Sequence, residues 1–238
     1  NIDVFLPLVR VLKETRLTVC INAMYAHTLV DDPDLLRKLA LRCDDADVLY
    51  LVDSFGSLMP SEVAGLIETT RSVRSDLMIG FHGHNNLELA FANSISAVDA
   101  GVDLIDGTIG GMGRGAGNLK TELWLAYLGY TMDRALDFTL LSHLTDRFEL
   151  LRREHGWGTK LPYMLSGLSQ VPQREVMQLL QTRRYSTNTI VSYVEGKERR
   201  EPSLTAPVFH PTGSPTSAVI VGGGPSVSQS VRSLRAWL

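Results

Sequence analysis

The 238-residue sequence has 44% hydrophobic and 21% charged residues and a formal net charge of −3, the composition of an ordinary globular protein. That balance gives no reason to expect nucleic acid or an anionic membrane as partner. No apolar run approaches the roughly 20 residues that span a bilayer, no signal peptide is visible, and the only cysteines, Cys20 and Cys43, suit a reducing, cytoplasmic setting without a disulfide framework.

In chain order, Val4 to Glu14 has helical periodicity through Val4, Leu8, Val11 and Leu12. Leu17 to Tyr25 reads as a buried strand. Asp32-Pro33 then opens a helix whose inner stripe is Leu35, Leu36, Leu39 and Cys43. Val48 to Val52 is the next strand, ending at Asp53-Ser54-Phe55-Gly56. Pro60 starts a helix with Val63, Leu66, Ile67, Thr70 and Val73 at helical spacing. A third strand runs from about Asp76 to Phe81, and a helix follows from Leu87 to Ala100, with Asn85 or Asn86 placed to cap it. Val102 to Ile109 is a fourth strand and Leu119 to Leu128 its helix, closed by Gly129.

Strand starts are spaced by roughly 30, 30 and 25 residues, the length of one strand–helix unit. Strands apolar on both faces alternating with amphipathic helices predict a parallel sheet covered by helices. Polar residues gather at successive strand ends: Asn22 and His27, Asp53 and Ser54, His82 and His84, Asp106 and Thr108. Such convergence favours a partial (β/α)8 barrel over an open doubly wound sheet. Only four strands are present, the sequence begins at Asn1, and it stops in a helical pattern at Leu238, so it reads as a fragment lacking the first barrel strands.

The predicted organisation is a barrel part over residues 1–132 and a helical extension over 133–200. A Pro-rich linker over 201–217 and the start of a second α/β domain over 218–238 follow. In the extension, Asp133 to Arg153 reads as one long helix with Leu136, Leu140, Leu144, Phe148 and Leu151 inward. Trp157 to Leu168 reads as a turn with aromatic contacts, and short helices are predicted at Arg174 to Leu180 and Thr187 to Val194. The terminal strand and Gly222-Gly-Gly-Pro-Ser226 form a weak phosphate-cradling pattern.

Chemistry centres on Phe81-His82-Gly-His84-Asn85-Asn86. Side chains alternate along a strand, so His82 and His84 share a face with Gly80 and Met78, while Leu77, Ile79 and Phe81 fill the other. Two imidazoles there make a ready pair of metal ligands, the alternative being a structural, hydrogen-bonded pair. Five glycines in the eight residues Gly110 to Gly117 imply tight turns or close backbone approach, the alternative being a mobile surface loop. Asn118 after them can offer a carbonyl oxygen to a cation or cap the next helix.

Together Asn22-Ala-Met24, Val52-Asp-Ser54-x-Gly56, His82-x-His84-Asn85, Ala92-Asn93 and Gly111-Met-Gly-x-Gly-Ala-Gly-Asn118 resemble the DRE-TIM metallolyases (the HMG-CoA lyase-like superfamily) in order and spacing. The resemblance covers about residues 15–170 and is greatest to the 4-hydroxy-2-oxovalerate aldolase branch. It implies Mn²⁺ or Mg²⁺ held by His82 and His84, with Asn118 a ligand or neighbour, and cleavage of a 4-hydroxy-2-oxo acid to pyruvate and an aldehyde. It implies substrate contact from His27, Ser54 and Tyr163, a substrate loop of Gly113, Arg114 and Gly115, and supporting roles for Asp53 and Asp106. Asn93 is read as a packing residue. The family's first-strand Arg-Asp pair, general base and catalytic arginine have no counterpart here. The Asp-Arg pairs at 133–134 and 146–147 fall in helical segments and do not replace them.

The glycine loop lacks both the cysteine of the hydroxymethylglutaryl-CoA lyase branch and the glutamate before the arginine of isopropylmalate-type synthases. Both absences favour the aldolase branch; a Claisen-type acyltransferase of the isopropylmalate or citramalate synthase kind, or a non-catalytic barrel in a biosynthetic protein, is the alternative. Arg114 stands where simpler aldolases carry a small residue. Family partners would be a 2-oxo acid, a second copy of the chain, and an acylating aldehyde dehydrogenase that contacts the helical extension.

Overall fold

The computed structural model describes residues 2–15 and 17–198, so the expectations for 201–217 and 218–238 lie outside the described residues. The chain runs through α1 (Ile2–Glu14), β1 (Cys20–Ala23), α2 (His27–Asp31), α3 (Pro33–Leu41), β2 (Val48–Asp53), α4 (Pro60–Val73), β3 (Met78–Gly83), α5 (Ala90–Asp99) and β4 (Leu104–Ile105). After a 3-10 turn at Ile109–Gly111 come α6 (Thr121–Thr131), α7 (Phe138–His155), α8 (Leu161–Leu168), α9 (Gln173–Gln181) and α10 (Thr187–Glu198). No helix among the described residues is long and apolar enough to cross a membrane.

The four strands pair in parallel and in chain order, β1-β2-β3-β4. A doubly wound sheet reverses its order at a switch point, and this one does not. Right-handed crossovers in such a series put the helices on one face of the sheet, as in a barrel wall. The fold is α/β, a partial (β/α)8 barrel. Among the described residues, β1 and β4 each have a strand partner on one side only.

The helix-covered face carries the main core. Leu49 and Leu51 of β2 and Ile79 and Phe81 of β3 pack there with Leu36, Ala40 and Cys43 behind α3 and Val63, Leu66 and Ile67 of α4. Each large side chain so buried contributes about 1.5–3 kcal/mol. Pro at the first turn starts α3 and α4, and the Asp32 side chain accepts the Leu35 N–H at 3.0 Å. On the opposite face, toward the barrel axis, Cys20 is exposed and Met78 is 40% exposed, while Val48 and Val52 are buried.

Several local expectations are corrected. In α1 it is Val9 and Leu12 that meet the core, while Leu8 and Val11 are exposed, because apolar residues surround this helix and periodicity alone does not select its face. Leu35 is 47% exposed; the true α3 stripe continues from Leu36 to Ala40 and Cys43. The first strand shortens to Cys20–Ala23 and the fourth to Leu104–Ile105, both being edges with one ladder each. Helix α5 starts at Ala90 rather than Leu87, after Glu88 takes a left-handed φ of 59°. Gly129 lies inside α6, where a Cβ would sit 2.9 Å from Leu136, and does not end it.

The long helix begins at Phe138, capped by Asp137, and its leucines are not inward: Leu140 is 65% exposed and Leu144 and Leu151 are also exposed. Asp133-Arg134 consequently lies between helices, and only Asp146-Arg147 is helical. Trp157 to Leu168 contains a full helix, α8, and α10 extends to Glu198.

The helical extension builds a second core from Tyr163, Val171, Val176, Ile190 and Val194 with Ala116 of the glycine loop. It sits on the rim where the strands end. The Asn86 amide donates to Tyr163 O at 2.8 Å, Thr159 Oγ1 to Asn85 O at 3.1 Å, and the Trp157 indole to Gly110 O at 3.0 Å.

Candidate metal centre

The end of β3 is fixed from both sides. Val52 pairs with His82 and Asp53 with Gly83, and the Asp106 N–H donates to Phe81 O at 3.1 Å, setting Asp106 beside His82. His82 Nδ1 lies 3.0 Å from Asp106 Oδ2. A carboxylate only accepts, so Nδ1 carries the proton and the Nε2 lone pair is left for another partner. The His82 bond holds the Asp106 carboxyl below the usual carboxylate range despite partial burial. Burial, then Asp106, pushes Tyr50 up to about 12, so it stays a donor.

Beyond β3 the chain forms a bridge with the segment after the glycine loop. His84 pairs with Asn118, and the Asn85 N–H donates to Gly117 O at 2.9 Å. His84 and Asn118 are brought together by this backbone pairing. The His84 ring packs edge-on to His82 with centroids 5.2 Å apart. It is nearly buried, and its Nδ1 has no hydrogen-bond partner. Burial, then the neighbouring His82 and Arg114, pushes its pKa down to about 4, so it is neutral at physiological pH. The Asn118 amide donates through Nδ2 to Met112 O at 3.0 Å, leaving Oδ1 buried without a partner.

The glycine loop is shaped to permit this and is not a mobile coil in its contacts. A Cβ on Gly113 would stand 2.6 Å from Asn118 Nδ2, and one on Gly117 2.3 Å from Gly111 O with φ at 83°. Gln173 holds the loop from outside by donating Nε2 to Arg114 O at 2.7 Å. Gly113, Arg114, Gly115 and Tyr163 line one cavity of about 730 Å³ with Lys160 and Arg183.

The other sequence-proposed residues sit on neighbouring elements. His27 begins α2 and packs on Phe55 with centroids 4.9 Å apart; its Nδ1 is buried and unpartnered, and burial lowers its pKa. Ser54 Oγ accepts the Tyr25 N–H at 2.8 Å, tying the loop before His27 to the end of β2. Tyr163 is buried in the second core. Asp53 is a buried loop anchor, accepting from the Ser57 and Leu58 N–H groups at 3.1 and 3.2 Å. Asn93 donates to Leu58 O at 2.8 Å, the packing role expected of it. Tyr50 was missed from the sequence; its signal is the strand register, which sets it opposite Gly80 on the face that bears His82.

Two orphaned buried atoms, His84 Nδ1 and Asn118 Oδ1, together with the free Nε2 of His82, form a neutral nitrogen and oxygen donor set that fits a divalent cation. No group of three His, Cys, Asp or Glu side chains able to hold a metal converges among the described residues. Two imidazoles and one amide are thus what this chain offers, with the remaining coordination open to water and substrate oxygens.

The chain matches the HMGL-like family model over residues 8–147. It is 39% identical over 128 residues to the oxaloacetate decarboxylase of Mycobacterium tuberculosis, covering 53% of this chain and 37% of that protein. It is 38% identical over 136 residues to a 4-hydroxy-2-oxovalerate aldolase of Bacillus thuringiensis, covering 55% of this chain and 39% of that protein. The N-terminal domain of a proposed aldolase from Bacteroides vulgatus superposes with a TM-score of 0.71 at 42% identity, covering 81% of this chain and 63% of that one. The chain therefore spans 37–39% of the length of these two curated relatives.

Proposed function

Since the chain belongs to the HMGL-like family, we propose that it forms part of a divalent-metal-dependent carbon–carbon lyase that cleaves a 4-hydroxy-2-oxo acid to pyruvate and an aldehyde. The observation that carries this reading is the pairing of His84 with Asn118 beside His82 at the end of β3, with His84 Nδ1 and Asn118 Oδ1 buried and unpartnered. A bound cation, Mn²⁺ or Mg²⁺, supplies a Lewis acid that polarises the 2-oxo group.

The chain's own residues do the rest. His82 is held with Nδ1 turned to Asp106 and Nε2 left free, and His84 is kept neutral by burial, so its ring presents a lone pair at pH 7. Arg114 lies close enough to His84 to depress its protonation and supplies positive charge for a substrate carboxylate. Ser54, whose Oγ already accepts from Tyr25, keeps its hydroxyl proton for a second carboxylate contact. His27, neutral and with an unpartnered Nδ1, is assigned the substrate-hydroxyl contact, and Tyr163 the far wall of the loop cavity. When the bond between carbons 3 and 4 breaks, the 4-hydroxyl proton leaves to a base, the aldehyde departs, and carbon 3 is then protonated to give pyruvate.

Identity to an oxaloacetate decarboxylase supports a second reading, loss of CO₂ from a 2-oxo diacid, which uses the same activation of the 2-oxo group. One experiment separates them. The metal-stripped full chain, resupplied with Mn²⁺, is given 4-hydroxy-2-oxovalerate or oxaloacetate and pyruvate is followed by coupled NADH oxidation. Metal-dependent pyruvate from the hydroxy acid that disappears in His82→Ala/His84→Ala supports the aldolase. Pyruvate from oxaloacetate alone supports the decarboxylase, and pyruvate from neither overturns both.

A further inference from the structure

The glycine loop borders two cavities that differ in charge. One, of about 510 Å³, is mixed: Glu88, Glu122, Asp146 and Glu149 offset its basic residues. The other, of about 730 Å³, is cationic: Arg114, Arg153, Lys160 and Arg183 line it, and Glu154 is the only acid among its lining residues. Arg153 is engaged by Glu149 at 3.3 Å, and Lys160 donates one bond to Gly156 O at 3.2 Å. The Arg114 and Arg183 guanidinium groups have no hydrogen-bond or ion-pair partner among the described residues. Gly113 also lines this cavity, and a Cβ there would stand 2.6 Å from Asn118 Nδ2, so the cavity borders the candidate metal centre. The buried Trp157 and Tyr163, with Met177 and Leu180 of α9, give it apolar surface as well.

We propose that this cavity receives the distal end of the substrate and that this end is anionic: the substrates are 4-hydroxy-2-oxo acids whose aldehyde portion carries a terminal carboxylate or phosphate. The proposal deepens the function given above and rests on its lyase reading. The cavity lies within the range of about 300–1,000 Å³ typical of small-molecule sites. Arg114 keeps the carboxylate contact already given to it, and Arg183 with Lys160 holds the distal group. A guanidinium offers a fork of donors that matches carboxylate or phosphate oxygens, and Arg183 has no protein partner to give up among the described residues. The apolar surface suits the carbon chain between the reacting atoms and the charged tip. A substrate ending in a methyl group would leave both guanidinium groups unpaired. In the cleavage itself the electron pair of the bond between carbons 3 and 4 stays on carbon 3, which gains a proton. The 4-hydroxyl loses one as its carbon becomes the aldehyde, and the distal anion departs unchanged on that aldehyde.

The test is titration calorimetry on the full chain supplied with Mn²⁺, using three acids that lack a 4-hydroxyl and so are not cleaved. These are 2-oxohexanoate, 2-oxoheptanedioate and 6-phosphono-2-oxohexanoate. At least one of the two acids with a charged tip is expected to bind about tenfold or more tighter than 2-oxohexanoate, and the tighter of them tells carboxylate from phosphate. Arg183→Gln/Lys160→Gln is expected to remove most of that preference. Arg184→Gln, next in sequence but outside the cavity wall, is expected to keep it, with thermal unfolding as the check on folding. No binding, equal binding of all three acids, or a preference that survives in the folded double variant overturns the proposal. The preference without pyruvate from any hydroxy acid would support the anionic subsite and overturn the lyase reading. Pyruvate without the preference would do the reverse.

Discussion

The two faces of the four-stranded sheet are made from alternate residues of the same strands, yet they do different work. On the helix side, Leu49, Leu51, Ile79 and Phe81 are fully buried in a continuous apolar core. On the axis side, Tyr50, Met78 and His82 are open or half-open beside the buried Val48 and Val52, and the His82 ring is bonded to Asp106. One face holds the wall together and the other carries the chemistry, so substitutions one residue apart are expected to fail in different ways.

The largest contrast is expected from Phe81→Ala, which deletes a fully buried ring from the helix face and should cost about 3–5 kcal/mol in denaturant unfolding. Its neighbour His82 keeps its bond to Asp106, so any fraction that stays folded should retain the His82 tautomer.

A second contrast is electrostatic. Burial, only partly offset by the Ser57, Leu58 and Gly56 N–H groups, pushes Asp53 up to about 6. The folded state then binds its proton more tightly than the unfolded state, and Asp53 costs stability as pH rises from about 4 to 6. His84, pushed down to about 4, works the other way: the unfolded state binds more protons, and stability rises with pH from about 4 to 6.5. Shifts of this size are each worth about 3 kcal/mol. Unfolding free energies of the metal-free protein should therefore vary little between about pH 4.5 and 6, rise with pH in Asp53→Asn, and fall with pH in His84→Asn.

Gly80→Ala should come next. The new methyl would meet the Tyr50 ring, an overpacking that should cost about 1–3 kcal/mol in denaturant unfolding. The smallest effect belongs to Met78→Ser on the same face: this side chain is 40% exposed, and its loss should change stability by no more than about 0.5 kcal/mol.

The difference between the faces also explains what could be read in advance. Strand β2, helix α4 and strand β3 were legible because each is a self-contained signal: Pro60 starts α4, and its stripe of Val63, Leu66, Ile67 and Thr70 is buried as spaced. His82 and His84 were legible as a pair because strand alternation sets their common side. The exposed leucines of α7 were not, since periodicity marks a stripe without saying what covers it. The Asp106–His82 bond was also hidden, because it depends on the register of neighbouring strands, and Asp106 alone reads only as an acidic residue near a strand end.

The most direct test of the account is Mn²⁺ binding by the metal-stripped full chain, with the free ion followed by electron paramagnetic resonance. One site per chain is expected, lost in His82→Ala/His84→Ala and weakened by Asn118→Ala, whose Oδ1 is buried and unpartnered. Equal binding by the unaltered protein and the double-histidine variant, or no binding by a folded unaltered protein, would contradict it.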